Sequence, residues 1–157
     1  MARAPFQALI IPFIIENNIP KFAIFKRADR KIWQFISGGG EDKELPSEAA
    51  KRECFEEAKI PYGTVLYKLD TVNSIPAEIF TEKYTKNWGE NCFVIPEHTF
   101  AIQLKEDCIK ISDEHSEYKW VDYDEAIALL KYDSNKTALT ELRARIRKNI
   151  LIEAKQI

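Results

Sequence analysis

Glu44, Arg52, Glu53, Glu56 and Glu57 lie within residues 38–60, GGGEDKELPSEAAKRECFEEAKI, and could do chemistry together. Glu53, Glu56 and Glu57 stand at i, i+3 and i+4, so a helix turning about 100° per residue holds all three within an arc of about 100°. Like charges that close destabilise a bare helix. Hard divalent cations take oxygen ligands, commonly one or two carboxylates plus substrate phosphates, so an acidic triad beside a glycine run invites a metal. Acidic helical faces are also common as solvated surface, and spacing alone does not decide between the two. Arg52 reaches Glu56 at i+4 and can reach back to Glu44, a grouping that reads as scaffolding for ligands rather than as chemistry.

These side chains need a helix to align them. Pro46 suits a first helical position and Glu48 adds negative charge in the first turn, so the pattern predicts a helix over 46–59. Ala49 lies on the acidic face one turn earlier and leaves room there. Ala50, Cys54 and Ala58 form a neighbouring apolar stripe that can seat the helix on a sheet. Ahead of it, the apolar run 8–15 is broken by Pro12, follows only Arg3 and lacks a small-residue cleavage pattern. It predicts a first strand rather than a signal peptide, and it is too short to span a membrane. Asn17 and Asn18 form a turn into an alternating strand over 21–27, giving a hairpin. Residues 32–36, IWQFI, predict a short strand leading into Gly38, Gly39 and Gly40, read as a flexible loop. Strand, loop and helix in that order bring backbone groups and carboxylates to one edge of a sheet.

Lys26 and Arg27 end the second strand, where they are either solvated or in contact with phosphate. Residues 62–75 read as a strand, with a loop about 73–77. The segment holding Lys83, Tyr84, Lys86 and Trp88 could close over a ligand, and Trp88 either packs or stacks on a planar ring. Residues 91–96 read as a central buried strand, and 109–122 as a strand, a charged turn and a further strand. Glu114 in that turn is either solvated or a metal ligand or general base, whereas His115, with His98 far off, has no metal-ligand spacing. Asp122 and Glu125 cap a helix over 123–131. A last helix over 135–154 puts Leu139, Leu142, Ile146 and Ile150 on one face and solvated Arg143, Arg147 and Lys148 on the other.

A hydrophobic fraction of 45%, a charged fraction of 31% and a net charge of −2 over 157 residues describe one ordinary soluble domain, without the basic excess of a nucleic-acid binder. Any phosphate partner must be held by local charge or by a metal. Cys54, Cys92 and Cys108 show no CxxC spacing, which points to reduced thiols and a cytoplasmic location.

The segment resembles the Nudix box, G-x5-E-x7-R-E-U-x-E-E-x-G-U with U aliphatic. Gly38, Glu44, Arg52, Glu53, Cys54 (for U), Glu56, Glu57 and Ile60 fall on it in register. Lys59 replaces the second glycine, where helices often end in a left-handed residue, a geometry that would cost the lysine about 1 kcal/mol if kept, and Lys43 and Ser37 stand where many members carry glycine. The approach IWQFISGG and the segment Glu114, His115, Tyr118, Lys119, Trp120, Asp122 resemble the dihydroneopterin triphosphate pyrophosphohydrolase branch, often labelled dATP pyrophosphohydrolase.

The resemblance implies an α/β Nudix fold, a mixed sheet sandwiched between helices, with residues 1–157 as a single domain. It implies Mg²⁺, with Mn²⁺ able to substitute, held by Glu53, Glu56, Glu57 and the Gly38 carbonyl, and Glu44 and Arg52 bracing the box. Glu53, Glu57 and Glu114 become the catalytic carboxylates, and either Glu53 or Glu114 takes the proton of the attacking water. Lys26, Arg27 and Trp88 are the candidate substrate contacts. The expected partner is a small-molecule triphosphate, with no nucleic acid and no membrane, and homodimerisation is left open. Two other readings stand beside this one: a Nudix hydrolase of another diphosphate-linked compound, such as ADP-ribose or a dinucleoside polyphosphate, and a non-catalytic nucleotide-sensing module.

Overall fold

A computed structural model describes residues 2–155. The long first strand β1 (Arg3–Glu16) changes partner along its length. It pairs antiparallel with β4 (Ile36–Glu41) from Arg3 to Ile10 and with β2 (Ile19–Arg27) from Phe13 to Glu16, so Pro12 falls at the handover, where its missing N–H costs no ladder bond. On its other side β1 runs parallel to β6 (Val94–Gln103), which pairs antiparallel with β5 (Leu66–Pro76). The full sheet order is β3-β2-β1-β6-β5-β8, with β4 on β1 and β7 on β2. Here β3 is Trp33–Gln34, β7 is His115–Val121 and β8 is Ile152–Glu153.

Successive strand residues face opposite sides, so the sheet carries two cores. On one face Ala8, Ile10, Phe25, Ile36 and Phe100 receive Ala50, Cys54 and Ala58 of helix α1 (Pro46–Ala58), the stripe expected from the sequence. On the other, Leu9, Ile11, Phe13, Phe22 and Ile24 receive Ala126 and Leu130 from α3 (Tyr123–Leu129) and its end, and Ala138, Leu139 and Leu142 from α4 (Asp133–Lys148). In the connection from β5 to β6 a short helix α2 (Glu82–Thr85) follows a 3₁₀ turn at Ala77–Ile79.

Several boundaries differ from the sequence expectations. The glycine run is not a loop: Ser37, Gly38 and Gly39 pair with Leu9, Ala8 and Gln7 inside β4. Phe35 separates β3 from β4, and its N–H donates to Asn135 Oδ1 at 2.9 Å. Residues 109–111 form no strand. They run along the end of α1, where Lys110 N–H donates to the Ala58 carbonyl and Ser112 N–H to that of Glu57, so this stretch caps the helix. The buried part of β6 begins at Ile95, not at residue 91, and Phe93 is 75% exposed. β5 starts at Leu66 and continues through the expected loop to Pro76. α3 stops at Leu129. α4 ends at Lys148 because Asn149 turns left-handed (φ 55°), which leaves Ile150 half exposed rather than on the buried face. Asp122 does cap α3, accepting from Glu125 N–H.

The register of β5 against β6 shifts between Lys68 and Val72, freeing two N–H groups there. Glu141 of α4 fills the gap: its carboxylate accepts from Asp70 N–H at 2.6 Å, Thr71 N–H at 2.7 Å and Arg145 Nε at 2.7 Å. Burial opposes ionisation of Glu141, but these donors outweigh it and hold the carboxyl below its ordinary value. A folded pKa below the unfolded one contributes stability above the unfolded value and loses it as pH falls through the folded one. Glu141→Gln is therefore expected to lower unfolding free energy at pH 7 by about 1.5–3 kcal/mol, and the gap to wild type should close as pH is brought below 4.5. Urea denaturation at pH 7 and pH 3.5 checks both; a pH-independent gap would reject the ionic account.

Candidate active site

One guanidinium joins three acids and a strand. Arg52 Nε and Nη2 bind the two oxygens of Glu44 at 2.8 and 3.0 Å. Nη2 also donates to the Gly39 carbonyl at 2.8 Å, while Nη1 donates to Glu53 Oε1 at 2.8 Å and Glu56 Oε2 at 3.1 Å. Glu44 in turn accepts from Glu41 N–H at 2.8 Å, which ties the turn after β4 to the helix. Burial disfavours the Glu44 charge, yet Arg52 and that N–H outweigh it and keep the acid below its usual value, and the same contacts raise Arg52 further. The scaffolding expected of Glu44 and Arg52 is thus present in geometry.

Local sequence explains the helix that carries them. Pro46 opens α1, Glu48 Oε1 accepts from Leu45 N–H at 2.8 Å, and Lys59 closes the helix left-handed at φ 58° where the motif has glycine. The acids then meet β4 at Gly38, where a Cβ would overlap the Glu53 carboxyl. Only glycine admits that approach.

Glu57 lies deepest, with 1% of its surface exposed and no hydrogen-bond partner of good geometry on either oxygen. Burial, then Glu53 and Glu114, push its carboxyl well above the usual range. Burial also raises Glu53, against the pull of Arg52. His115 Nε2 stands 3.7 Å from Glu57 Oε1. Burial, then the charge of Arg27, lowers this imidazole to about 4, so it is neutral at pH 7 and gives Glu57 no counter-charge. Sequence spacing could not have found this contact. It depends on β7 pairing with β2, which sets His115 opposite Arg27 and its ring 5.2 Å from that of Phe25.

The other sequence candidates divide between the two faces. Glu114 is exposed at the head of β7, its carbonyl accepting from Ala28 N–H at 3.0 Å and its charge acting on Glu57. Arg27 lies on this side too, bound to Asp29 at 2.8 and 2.7 Å. Lys26 points to the opposite face, 5.8 Å from the Trp33 ring centre, with Lys119 at 5.3 Å. Trp88 packs: its Nε1–H donates to the Arg3 carbonyl at 2.7 Å and its ring meets Phe80 edge-on.

Among the described residues no three acidic, thiol or imidazole groups converge as a finished metal cage, and Arg52 Nη1 stands between Glu53 and Glu56. The donors nevertheless suit a hard divalent cation: all are oxygens, and the buried carboxylate of Glu57 lacks the charge partner such an ion supplies. An anionic, polyphosphate-bearing substrate would need the same charge.

Residues 13–142 match the NUDIX domain family. A crystal structure of a NUDIX hydrolase from Listeria monocytogenes is 43% identical with a TM-score of 0.85, and the match covers 95% of this chain and 99% of that one. The chain is also similar to a dihydroneopterin triphosphate diphosphatase of Escherichia coli, 31% identical over 120 residues and covering 74% of this chain and 77% of that protein. A dihydroneopterin triphosphate diphosphatase of Haemophilus influenzae is 24% identical over 145 residues, covering 90% of each.

Arg52→Lys keeps the charge but loses the fork onto Glu44 and the reach to Gly39. The expected outcome is a loss of about 1.5–3 kcal/mol in unfolding free energy, read by urea titration of tryptophan fluorescence. A loss below about 0.5 kcal/mol would mean that these bonds act as exposed ion pairs.

Proposed function

We propose that this chain, which belongs to the NUDIX domain family, hydrolyses dihydroneopterin triphosphate or a purine nucleoside triphosphate to the monophosphate and pyrophosphate. That it is a Nudix hydrolase acting on pyrophosphate bonds follows from the family and the named hydrolase relatives. The substrate is the proposed part, supported by similarity to two diphosphatases of that name. Free Cys54, Cys92 and Cys108 suit a reducing cytoplasm.

The observation that carries the reading is Glu57. A buried, unpartnered carboxylate beside a second raised carboxyl is costly for a fold to keep. It becomes useful when a cation and a polyphosphate complete it. We assign Mg²⁺, or Mn²⁺ in its place, to Glu53, Glu56 and Glu57 with the Gly38 carbonyl; when bound, it supplies positive charge to the phosphates and acidifies water. The chain does the rest. Arg52 engages Glu53 Oε1, so the attacking water loses its proton to the other Glu53 oxygen or to Glu114, exposed at the rim. Neutral His115 walls Glu57 from solvent without cancelling its charge. Arg27 can exchange Asp29 for a substrate phosphate. Lys26, on the sheet face away from α1, and Trp88, whose ring packs on Phe80, stay as candidate substrate contacts in this proposal.

The test is pyrophosphate and phosphate release with Mg²⁺ from dihydroneopterin triphosphate, dATP, other nucleoside triphosphates and ADP-ribose. Pyrophosphate from the pterin or a purine triphosphate is expected, with at least about 100-fold loss of turnover in Glu57→Gln. The variant should keep its Tm or gain, since a buried charge is removed. Turnover of ADP-ribose alone would replace the substrate. Ligand binding without metal-dependent turnover would favour the sensing module, and near-normal turnover in Glu57→Gln would remove that residue from the site.

A further inference from the structure

A second buried acid lies outside this machinery. Glu97 of β6 is 5% exposed and, among the described residues, pairs with no cation. Its Oε1 accepts from Asn73 Nδ2 at 3.2 Å and its Oε2 from Gln7 Nε2 at 3.3 Å. Gln7 also donates to Ser37 Oγ at 2.9 Å and accepts from Arg3 Nη2 at 3.0 Å. Burial raises the Glu97 carboxyl, with the two amides opposing.

Strand register locates this polar line. Gln7 stands opposite Gly39 on one side and Glu97 on the other, so Glu97 lies two strand spacings, about 10 Å, from Gly39. A Cβ on Gly39 would strike Arg3 whereas one on Gly38 would strike Glu53, which puts the line on the face opposite α1. Gln7, Ser37 and Asn73 are only half buried, so α4 leaves this end of the sheet open. The Arg3 guanidinium forms a wall beside it, 5.0 Å from the Phe80 ring centre and 5.6 Å from that of Tyr84.

We propose that Glu97 is the specificity-determining residue for the substrate's heterocycle, accepting the adjacent ring N–H and exocyclic amino donors of a 2-amino-4-oxopyrimidine edge, as in pterin or guanine. This rests on the hydrolase reading above and names the class of triphosphate. An ionised carboxylate only accepts, with about four lone-pair sites, and the two amides use one on each oxygen. Two neighbouring N–H donors fit the remaining sites. Adenine presents an acceptor beside its amino group, which a carboxylate repels. A glutamine in its place would offer one acceptor oxygen and turn its NH2 toward Gln7 or Asn73, whereas the carboxylate accepts from both and keeps lone pairs for a ligand. The distance from Gly39 suits a heterocycle whose phosphates lie at the acidic helix.

The test reads binding, independent of turnover. Calorimetric titration with GMP, IMP, AMP and dihydroneopterin monophosphate is expected to give GMP about 10- to 100-fold tighter than IMP, which lacks only the 2-amino group. That ratio should fall to near one in Glu97→Gln, or in Glu97→Leu, which has no acceptor, should the first variant not fold. A wild-type ratio below about threefold overturns the proposal whatever the variants do. So does a ratio that survives in either folded variant. Pyrophosphate release from GTP, ITP and dihydroneopterin triphosphate then separates guanine from pterin as the source of the edge. Discriminating binding with no turnover of any triphosphate would remove the hydrolase reading and leave Glu97 as the reader.

Discussion

The site depends on one cation in the right place. Without Arg52, the end of β4, the turn after it and the acidic face of α1 would bring Glu41, Glu44, Glu53 and Glu56 together with nothing to offset them. With it, a planar fork takes both oxygens of Glu44, reaches the Gly39 carbonyl and still has Nη1 for Glu53 and Glu56. The helix is therefore fixed to the strand by charge-assisted bonds on its polar side and by Ala50, Cys54 and Ala58 on its apolar side. Two independent contacts on two sides set the rotation of α1, and that rotation aims Glu57 inward.

Much of this was legible because it is local. Helix periodicity fixed which acids share a face, the proline and the left-handed position bounded α1, and the motif spacing named the family. What escaped the sequence was non-local. Three glycines in a row read as flexible, yet Gly38 and Gly39 are rigid strand residues whose missing side chains admit Glu53 from one face and Arg3 from the other. Hydrophobic pattern could not reveal that, because the pattern of a glycine is only absence. Residues 109–111 have strand-forming composition, but the free carbonyls at the end of α1 take the N–H groups of Lys110 and Ser112. His115 looked like an isolated histidine until β2 and β7 paired.

The alternation at Gly38 and Gly39 also divides the labour of the sheet. The α1 face gathers oxygen donors around Arg52 and leaves Glu57 without a cation, an arrangement suited to metal and phosphate. The opposite face gathers amides, aromatic rings and one acid, suited to a planar polar heterocycle. β4 flanks β1 along this stretch, so a substrate of modest length can touch both faces by passing over it.

Stability is arranged accordingly. The two hydrophobic cores that fill the centre of the sheet are apolar, whereas Glu57 and Glu97 are buried acids that pair with no cation among the described residues. Each costs desolvation free energy that no internal partner returns in full. Glu141 makes the contrast: set at the β5 irregularity, it collects two backbone N–H groups and Arg145 and is held below its usual pKa, while Glu57 and Glu97 are raised. A carboxylate whose environment favours its charge is finished as part of the fold. One whose environment opposes its charge is finished only by what binds there, and in this chain both such acids face the places where the two ends of a nucleotide-like substrate would lie.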